Sequence, residues 1–258
     1  MRNMILAIDI GNTNIVVGCI DEEKTYFIER VSTDRSKTEL EYAIDLKTIL
    51  DIHHIKRPDI EGAIISSVVP QITNAVKLAV EKILKKKVMV LGPGIKTGLN
   101  ILMDNPGQLG ADLVADAVAA SNNYPAPLIV IDMGTATTVS VLNDKKQYIG
   151  GMILPGVGLS LDALTSRASQ LGGIGIEAPK HLIGKNTTEC MKSGIIYSSA
   201  ASLDGIVERI EEELGTEATV VATGGLAKKI IPYCKKKITL DEELLLKGLL
   251  IIYEKNNK

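Results

Sequence analysis

Two short segments of the chain carry residue types that bind phosphate and metal ions. AIDIGNTN (7–14) and VIDMGTAT (130–137) each contain an apolar run, an aspartate, one apolar residue, a glycine and then small hydroxyl or amide residues. A carboxylate suits a hydrated metal ion, whereas backbone N–H groups and uncharged donors suit phosphate oxygens. The glycine allows the backbone to turn tightly and to approach a ligand closely. Each segment therefore predicts a phosphate-binding turn at the end of a buried strand.

The two segments are related by a constant sequence offset. Asp9 and Asp132 are 123 positions apart, and the glycine two residues after each aspartate keeps that offset. A polar turn follows in each half, and we match Asp21 with Asp144 because they have the same separation. The sequence therefore predicts a repeat in which each half opens with a strand, a phosphate-type turn, a strand, a polar turn and a strand.

The elements that must position these turns alternate between strands and helices. Thr38 and Glu41 form a predicted capping box at the start of the first helix. Later helices are predicted over 108–122, over 158–171, over 187–214 with a break or kink near Gly194 and Gly205, and from Asp241 onward. Two meanders, each followed by helices and strands, predict two similar α/β domains. The loop at 124–127, with its two prolines, is the predicted boundary, which gives domains 1–123 and 124–258.

Composition excludes several classes of protein. The 258 residues are 45% hydrophobic and carry a formal net charge of −2, which argues against a broad nucleic-acid-binding surface. No apolar run approaches the length of a membrane span. The three cysteines are far apart and lack zinc or redox spacing, so we expect free thiols. We therefore expect a cytoplasmic protein with no nucleic-acid or membrane partner.

The predicted architecture places ligands at one edge of each sheet. Ligands of open α/β sheets bind outside the carboxyl ends of the strands, so the two turns are expected to face each other across an interdomain cleft that holds a nucleotide triphosphate. This arrangement resembles the actin-like, sugar-kinase-type ATPase superfamily, whose two ribonuclease H-like domains enclose a nucleotide cleft.

Within that superfamily, the chain resembles the type III pantothenate kinases, which catalyse the first step of coenzyme A synthesis. The resemblance covers nearly the whole length and rests on motifs in family order. They are DIGNTN (9–14) with Gly18, SSVVP (66–70), GPGIKTG (92–98), DNP (104–106), GAD (110–112), DMGTATT (132–138), GGMILPG (150–156), GKNT (184–187) and TGG (223–225). The resemblance implies phosphorylation of pantothenate by ATP with Mg²⁺ and a monovalent cation, K⁺ or NH₄⁺. It also implies a homodimer with the acceptor pocket at the subunit interface.

The resemblance implies a role for each matching residue. Asp112 resembles the catalytic base, Asp132 resembles the monovalent-cation ligand, and Asp9 is expected to act on Mg²⁺ through the phosphates. The expected nucleotide-binding residues are Asp9, Ile10, Gly11, Asn12, Thr13, Asn14, Ile15, Val16, Thr135, Gly151, Pro155 and Gly156. The expected pantothenate-binding residues are Met103, Gly110, Ala111, Asp112, Leu113 and Thr187.

The chemistry of the residues supports the assignment of Asp112. Phosphoryl transfer to a primary alcohol needs a carboxylate near the nucleophilic oxygen, and otherwise mostly alignment and charge neutralisation. The alternative is that Asp112 is only an acid in the first turn of a helix, where the helix dipole favours it.

The chain departs from the family pattern in the expected acceptor pocket. Leu113 stands where the family commonly has an arginine, and Met103 stands where it commonly has a tyrosine. Two alternatives to pantothenate kinase activity therefore remain: a kinase of the same fold with a different small alcohol acceptor, or a non-catalytic ATP-binding accessory or regulatory protein. The aliphatic helix over 108–120 is either the dimer interface or ordinary core.

Overall fold

The computed structural model describes residues 4–167 and 173–257. The strands are β1 (Met4–Ile10), β2 (Asn14–Ile20), β3 (Thr25–Ser32), β4 (Ile60–Ser67), β5 (Val88–Val90), β6 (Leu128–Met133), β7 (Ala136–Leu142), β8 (Tyr148–Pro155), β9 (Thr219–Thr223) and β10 (Ile238–Leu240). The helices are α1 (Glu39–Ile52), α2 (Pro70–Leu84), α3 (Ala111–Asn123), α4 (Val157–Arg167), α5 (Thr187–Leu214), α6 (Ala227–Ile230) and α7 (Leu244–Asn257).

The strands form two five-stranded sheets with the same topology. The orders are β3-β2-β1-β4-β5 and β8-β7-β6-β9-β10. In each sheet the first three strands in sequence form an antiparallel meander, and the last two run parallel to the first. Because both order and strand direction are repeated, the predicted α/β class and the predicted duplication are confirmed.

The chain divides into two compact units that do not follow a single cut in the sequence. The first unit contains 1–99, 104–119 and 243–258, and the second contains 100–103 and 120–242. The predicted domain boundary between residues 123 and 124 stays a prediction. The contacts within the chain nevertheless place the final helix with the first unit.

In the first unit, α1 and α2 cover one face of the sheet and α7 covers the other. Ile8 and Ile10 of β1 lie in a buried cluster with residues of α1 and α2. On the opposite face, a Cβ atom on Gly62 would lie 1.9 Å from Oη of Tyr253 in α7. Side chains alternate between the faces of a strand. Asp9 therefore points away from α1 and α2, toward the face that α7 covers.

In the second unit, α5 packs along one face of the sheet. Ile131 and Met133 of β6 lie in a buried cluster with residues of this helix, among them Ile196 and Leu203. By alternation, Asp132 points to the opposite face. The predicted break near Gly194 and Gly205 is wrong, since α5 is one helix over its 28 residues. A glycine costs a helix only about 1 kcal/mol, and burial of the apolar side offsets this cost.

Several predicted boundaries differ from the structure. The capping box of Thr38 and Glu41 is confirmed. The helix predicted from residue 108 begins at Ala111, because residues 106–108 form a 3₁₀ turn. The last helix begins at Leu244 and not at Asp241, whose carboxylate accepts a hydrogen bond from Oη of Tyr124 at 2.9 Å. The predicted helix over 158–171 is present to residue 167, and its last four residues lie outside the described ranges.

The match of Asp21 with Asp144 is wrong by one residue. Oδ1 of Asp21 accepts two backbone N–H hydrogen bonds from the turn that follows it, each 2.9 Å long. The residue that does the same in the second sheet is Asn143, with two bonds of 3.0 Å. The turn before β7 joins Met133 to Thr137 and is one residue shorter than the turn before β2. The shorter turn lowers the repeat offset from 123 to 122 across this strand.

The helix α3 is core in this chain. Every residue from Val114 to Ala120 is buried, including the polar Asp116. A Cβ atom on Gly248 of α7 would lie 1.9 Å from the backbone oxygen of Ala115, so the two helix backbones are in close contact. Of the two alternatives for this helix, core packing describes its central part.

Candidate phosphate-binding turns and catalytic carboxylate

The first acid–glycine turn lies between β1 and β2. The N–H of Gly11 donates to the carbonyl oxygen of Asn14 at 3.0 Å, which closes the turn. The side chains of residues 12–14 are exposed, whereas Oδ1 of Asp9 is buried. The turn therefore presents amide and hydroxyl groups to solvent beside a partly buried carboxylate.

Two residues predicted to bind nucleotide have side chains in the core. Ile10 is 0% exposed and Ile15 is 1% exposed, and both belong to the cluster with α1 and α2. Any contact that they make with a nucleotide is therefore through the backbone. Val16, the last residue of the predicted motif, is half-buried on the face of Asp9, because the two residues pair directly across β1 and β2.

A buried hydroxyl lies next to Asp9. Ser66 of β4 pairs with Asp9 in register, and paired residues of neighbouring strands point to the same face. Ser66 is 0% exposed, and its hydroxyl has no hydrogen-bond partner among the residues that the structure describes. The neighbouring hydroxyl of Ser67, in contrast, bonds Oγ1 of Thr73 at 2.7 Å. Leaving a buried hydroxyl unsatisfied costs about 1–3 kcal/mol, so Ser66 fits a site that a bound group or water completes.

Asp112 lies at the same edge of the first sheet as this turn. The N–H of Val68, just beyond β4, donates to the carbonyl oxygen of Ile10 at 3.0 Å. A Cβ atom on Gly110 would lie 3.7 Å from Cγ1 of Val68, which places the start of α3 against the end of β4. Oδ1 of Asp112 accepts a hydrogen bond from the N–H of Leu113 at 2.8 Å. The structure thus brings Gly110, Asp112 and Leu113 to the strand ends that carry the first turn.

Burial raises the pKa of the Asp112 carboxyl, and the backbone hydrogen bonds to the carboxylate act against this rise. A raised pKa makes a carboxylate a stronger base. A carboxyl with a perturbed pKa at the carboxyl ends of parallel strands is a candidate catalytic group.

The second acid–glycine turn lies between β6 and β7. The N–H of Gly134 donates to the carbonyl oxygen of Ala136 at 3.0 Å, and Thr135 between them is exposed. Asp132 is paired in register with Thr138 on one side and with Thr223 on the other. A carboxylate with a hydroxyl residue on each side is a set of hard oxygen donors that suits a cation.

Two further features lie beside Asp132. Oγ1 of Thr138 is buried and finds no hydrogen-bond partner within the described ranges. Gly224 has a φ of +94°, and a Cβ atom there would lie 2.4 Å from Oδ1 of Asp132. Glycine at this position is required by close packing, since a Cβ atom would also lie 2.5 Å from the backbone nitrogen of Met133.

Three of the predicted nucleotide-binding residues meet at the second turn. Pro155 pairs with Ala136, and a Cβ atom on Gly156 would lie 2.1 Å from the carbonyl oxygen of Thr135. Thr135, Pro155 and Gly156 are therefore neighbours at the start of α4. Gly151 pairs with Ser140, four residues back along β8, which is about 13 Å from the turn. The structure does not bring Gly151 to the turn.

The remaining predicted acceptor-binding residues lie on different units. Thr187 is exposed at the first position of α5, next to Asn186, whose side chain caps the helix. Thr187 and the half-buried Met103 belong to the second unit, whereas Ala111 and Leu113 belong to the first. A common pocket for these residues stays a prediction.

In residues 4–167 and 173–257, no group of three or more histidine, cysteine, aspartate or glutamate side chains is arranged to hold a metal ion. Nor does any helix in those ranges combine the length and apolar character needed to cross a membrane. All three cysteines are free thiols.

Sequence reasoning assigned no role to several residues that the structure places at the two turns. Ser66 and Gly224 belong to motifs that the sequence singled out, SSVVP and TGG, but only strand pairing shows that they adjoin Asp9 and Asp132. Arg35, whose guanidinium reaches Asn12, had no signal in the sequence.

Comparison with known proteins identifies the family. The type III pantothenate kinase profile matches residues 5–209. A type III pantothenate kinase from Bacillus cytotoxicus is 47% identical over 253 residues, which are 98% of this chain and 97% of that protein. Component A of (R)-2-hydroxyglutaryl-CoA dehydratase from Acidaminococcus fermentans is 16% identical, with 100% of both chains covered and a TM-score of 0.58. MreB5 of Spiroplasma citri bound to AMPPNP is 10% identical, with 100% of this chain and 98% of that one covered and a TM-score of 0.55. The two structures show an actin-like ATPase fold, and the profile and the close relative show that the chain belongs to the type III pantothenate kinase family.

Proposed function

We propose that this chain transfers the γ-phosphoryl group of ATP to the primary hydroxyl of pantothenate, with Asp112 as the base. The product is 4′-phosphopantothenate, and the reaction is the first step of coenzyme A biosynthesis. Membership of the type III pantothenate kinase family supports the kinase activity and the acceptor. The observation that carries the residue assignment is the raised pKa of Asp112 at the strand ends that hold the first phosphate-type turn.

Asp112 would accept the proton of the pantothenate hydroxyl as its oxygen attacks the γ-phosphorus. The bond from oxygen to phosphorus forms while the bond between the γ-phosphorus and the bridging oxygen breaks, and ADP leaves. The hydrogen bond from the N–H of Leu113 holds the carboxylate in place. Partial burial keeps the base in an environment where its charge is poorly solvated, which favours proton uptake.

Mg²⁺ would be held mainly by the phosphate oxygens, with Asp9 acting on the ion through the phosphates or their water. Mg²⁺ keeps several waters and often binds through one or two carboxylates plus substrate phosphates, so a site with a single aspartate fits. When bound, the ion neutralises charge on the phosphates. The unsatisfied Ser66 hydroxyl beside Asp9 fits an ordered water in this site.

The monovalent cation, K⁺ or NH₄⁺, would lie at Asp132. The buried Oγ1 of Thr138 and the carboxylate of Asp132, whose residues pair across β6 and β7, fit a cation with oxygen ligands. The cation would add positive charge near the nucleotide phosphates. Exposed Thr135, close to Gly156, would supply a hydroxyl to a phosphate.

We also propose a cytoplasmic homodimer that acts without a nucleic-acid or membrane partner. The net charge of −2 and the free thiols support the location and the absence of a nucleic-acid surface. Because the central part of α3 is buried in the chain, we place the dimer contact on other surfaces.

A second candidate function is a kinase of the same fold with a different small alcohol as acceptor. It is favoured by Leu113, a half-buried apolar side chain directly after the proposed base, where the family commonly has an arginine. A charged hydrogen bond lost there would cost about 1.5–3 kcal/mol of acceptor binding.

A coupled assay of ADP release, with and without pantothenate and with and without K⁺, tests both candidates. We expect turnover that depends on pantothenate and increases with K⁺. Turnover that requires another alcohol would favour the second candidate. ATP binding without turnover on any alcohol would indicate a non-catalytic ATP-binding protein.

A further inference from the structure

We propose that Arg35 is a phosphate-binding residue of the first acid–glycine turn. This inference rests on the proposed function, in that the ligand of the turn is a nucleotide with phosphate groups. Arg35 lies outside every motif that carried the family resemblance.

Neither acid–glycine turn supplies a positive side chain. Residues 7–16 and 130–139 contain no lysine and no arginine. Phosphoryl transfer depends on neutralising the charge of the phosphates, and enzymes commonly use lysine or arginine in addition to metal ions for this purpose. Any positive side chain at the first turn therefore comes from another segment of the chain.

The segment that follows β3 is fixed directly onto the first turn. Oγ1 of Thr33 donates to the carbonyl oxygen of Gly11 at 2.6 Å. The N–H of Thr33 donates to the carbonyl oxygen of Thr13 at 3.0 Å. Two hydrogen bonds from one residue thus hold residues 33–38 against the backbone of the turn.

The other end of this segment is fixed to α1. Oη of Tyr42, which is 1% exposed, donates to the carbonyl oxygen of Asp34 at 2.6 Å. Thr38 then caps the helix. With both ends held, the segment presents the side chain of Arg35 at a defined position beside the turn.

Arg35 is the available cation of this segment. Its Nη2 donates to Oδ1 of Asn12 at 3.3 Å, and no carboxylate pairs with it in the described part of the chain. Lys37 is bonded to Asp45 at 2.7 Å, and Oδ1 of Asp34 accepts hydrogen bonds from Ser36. Both neighbouring charges are therefore already engaged.

The contact between Arg35 and Asn12 is the kind that a phosphate can replace. A guanidinium has five N–H donors in a planar fork, and one of them is used here, on a neutral amide oxygen. Hydrogen bonds from arginine to phosphate oxygens join two opposite charges and are frequently bidentate, so they are stronger than a single bond to a neutral amide oxygen. We therefore expect Arg35 to move its donors to the phosphates when nucleotide binds.

Calorimetric titration of the purified full-length protein with ATP, ADP and adenosine in the presence of Mg²⁺ tests this assignment. We expect Arg35→Ala to weaken ATP binding by about 10- to 100-fold and to leave adenosine binding unchanged. Arg35→Lys keeps the charge but lacks the fork, so its loss of ATP affinity should be smaller, about 3- to 10-fold. A loss for ATP with none for ADP would assign the contact to the γ-phosphate, and equal losses would assign it to the phosphates shared by both.

Arg209→Ala is the matched control. Arg209 is exposed, and its guanidinium donates to the carbonyl oxygen of Gly205 within α5 at 2.8 Å, so the change in charge is the same. We expect ATP affinity to be unchanged in this variant, and we expect all three variants to melt near the wild-type temperature.

The inference and the proposed function fail in different ways. If the wild type binds ATP and Arg35→Ala binds it equally well, the assignment of Arg35 is overturned while the kinase stands. If Arg35→Ala loses adenosine and ATP affinity alike, Arg35 acts on the shape of the site and not on phosphate. If the wild type does not bind ATP, both fail together.

Discussion

The two acid–glycine turns share a scaffold but differ in the residues that pair with the acid across the sheet. Both aspartates lie one residue before the end of the first strand of identically ordered sheets. Asp9 pairs with Val16 and Ser66, whereas Asp132 pairs with Thr138 and Thr223. The first turn adjoins the start of α3 with Asp112, whereas Gly224 packs beside the second. Duplication has therefore kept the backbone and changed the chemistry around it.

This difference suggests a division of labour. The first unit has a carboxyl with a raised pKa, which we propose as the base, and, by our inference, an arginine for phosphate. The second unit has a hydroxyl residue on each side of its aspartate. We therefore expect substitutions in the first unit to act on the chemical step or on phosphate binding, and substitutions in the second to act on the dependence on monovalent cations.

The largest effect is expected for Asp112→Asn. Loss of a general base typically lowers turnover by about 10²- to 10⁴-fold, and the amide keeps the shape of the side chain. Initial rates at saturating ATP and pantothenate measure kcat, and the KM for ATP should stay near the wild-type value. Turnover near the wild-type rate would show that Asp112 is not the base. The proposed division of labour between the two units would then be wrong.

The pH dependence of the same carboxyl provides a second test. Because burial raises the pKa of Asp112, kcat/KM should fall about tenfold per pH unit on the acid side, starting at a higher pH than an exposed aspartate would give. A raised carboxyl pKa also stabilises the fold below the unfolded-state pKa, and this contribution is lost as the pH rises through the folded-state pKa. Asp112→Asn should therefore melt above the wild type at pH 7, and the difference should disappear at low pH. A wild-type melting temperature above that of Asp112→Asn at pH 7 would contradict the conclusion that the Asp112 carboxylate is desolvated.

Replacing the aspartate of each turn with asparagine tests which cation depends on which turn. Asp132→Asn should raise the K⁺ concentration for half-maximal activity by about 10- to 100-fold and change the Mg²⁺ requirement little. Asp9→Asn should do the reverse. Both are measured as activity against cation concentration in a buffer without alkali metals. Equal effects of the two substitutions on both cations would show that the turns are not specialised.

The glycines beside the two acids should differ in their tolerance of alanine. Gly224→Ala places a Cβ atom 2.4 Å from Oδ1 of Asp132 at a positive φ, and we expect a loss of about 1–3 kcal/mol in the free energy of unfolding. Gly11→Ala meets the carbonyl oxygen of Asn14 at 3.0 Å without a positive φ, so its loss should be smaller, below about 1 kcal/mol. Denaturant titration of both variants measures the difference, and the opposite ranking would contradict the described geometry.

The smallest effects are expected for the two adjacent serines of β4. Ser66→Ala removes a buried hydroxyl with no partner in the described ranges, so the free energy of unfolding should be unchanged or higher by up to about 1 kcal/mol. Ser67→Ala breaks the contact with Thr73 and should cost about 0.5–1.5 kcal/mol. If Ser66 contacts a water of the Mg²⁺ site, its variant should also need a few-fold more Mg²⁺. A cost for Ser66→Ala equal to that for Ser67→Ala would show that its hydroxyl is already satisfied.

The repeat and the apolar patterns were sufficient to predict the class, the duplication and the first turn. They failed where distant contacts decide the outcome. Periodicity could not show that Asp241 bonds Tyr124 and so delays the last helix, or that packing keeps α5 continuous through Gly194. The turn before β7 is shorter by one residue, which moved Asn143 into the position expected for Asp144.

For the candidate site, too, sequence patterns failed where contacts between distant residues decide the arrangement. Residues inside contiguous motifs, such as Asp9, Asp132 and Asp112, were proposed from their sequence context. Arg35 adjoins the first turn only through loop contacts, which no local pattern encodes.

The position of α7 determines when the first unit can be completed during synthesis. Its sheet is encoded before residue 91, yet the helix that covers the face of Asp9 comes from residues 244–257, after the whole second unit. A ribosome-bound chain that has emerged only to residue 240 therefore exposes Ile5, Ala7 and Ile64, which are at most 1% exposed in the folded chain. Until the last helix leaves the exit tunnel, the nascent protein presents an apolar sheet face to chaperones, and the face that carries Asp9 is not yet covered by this helix.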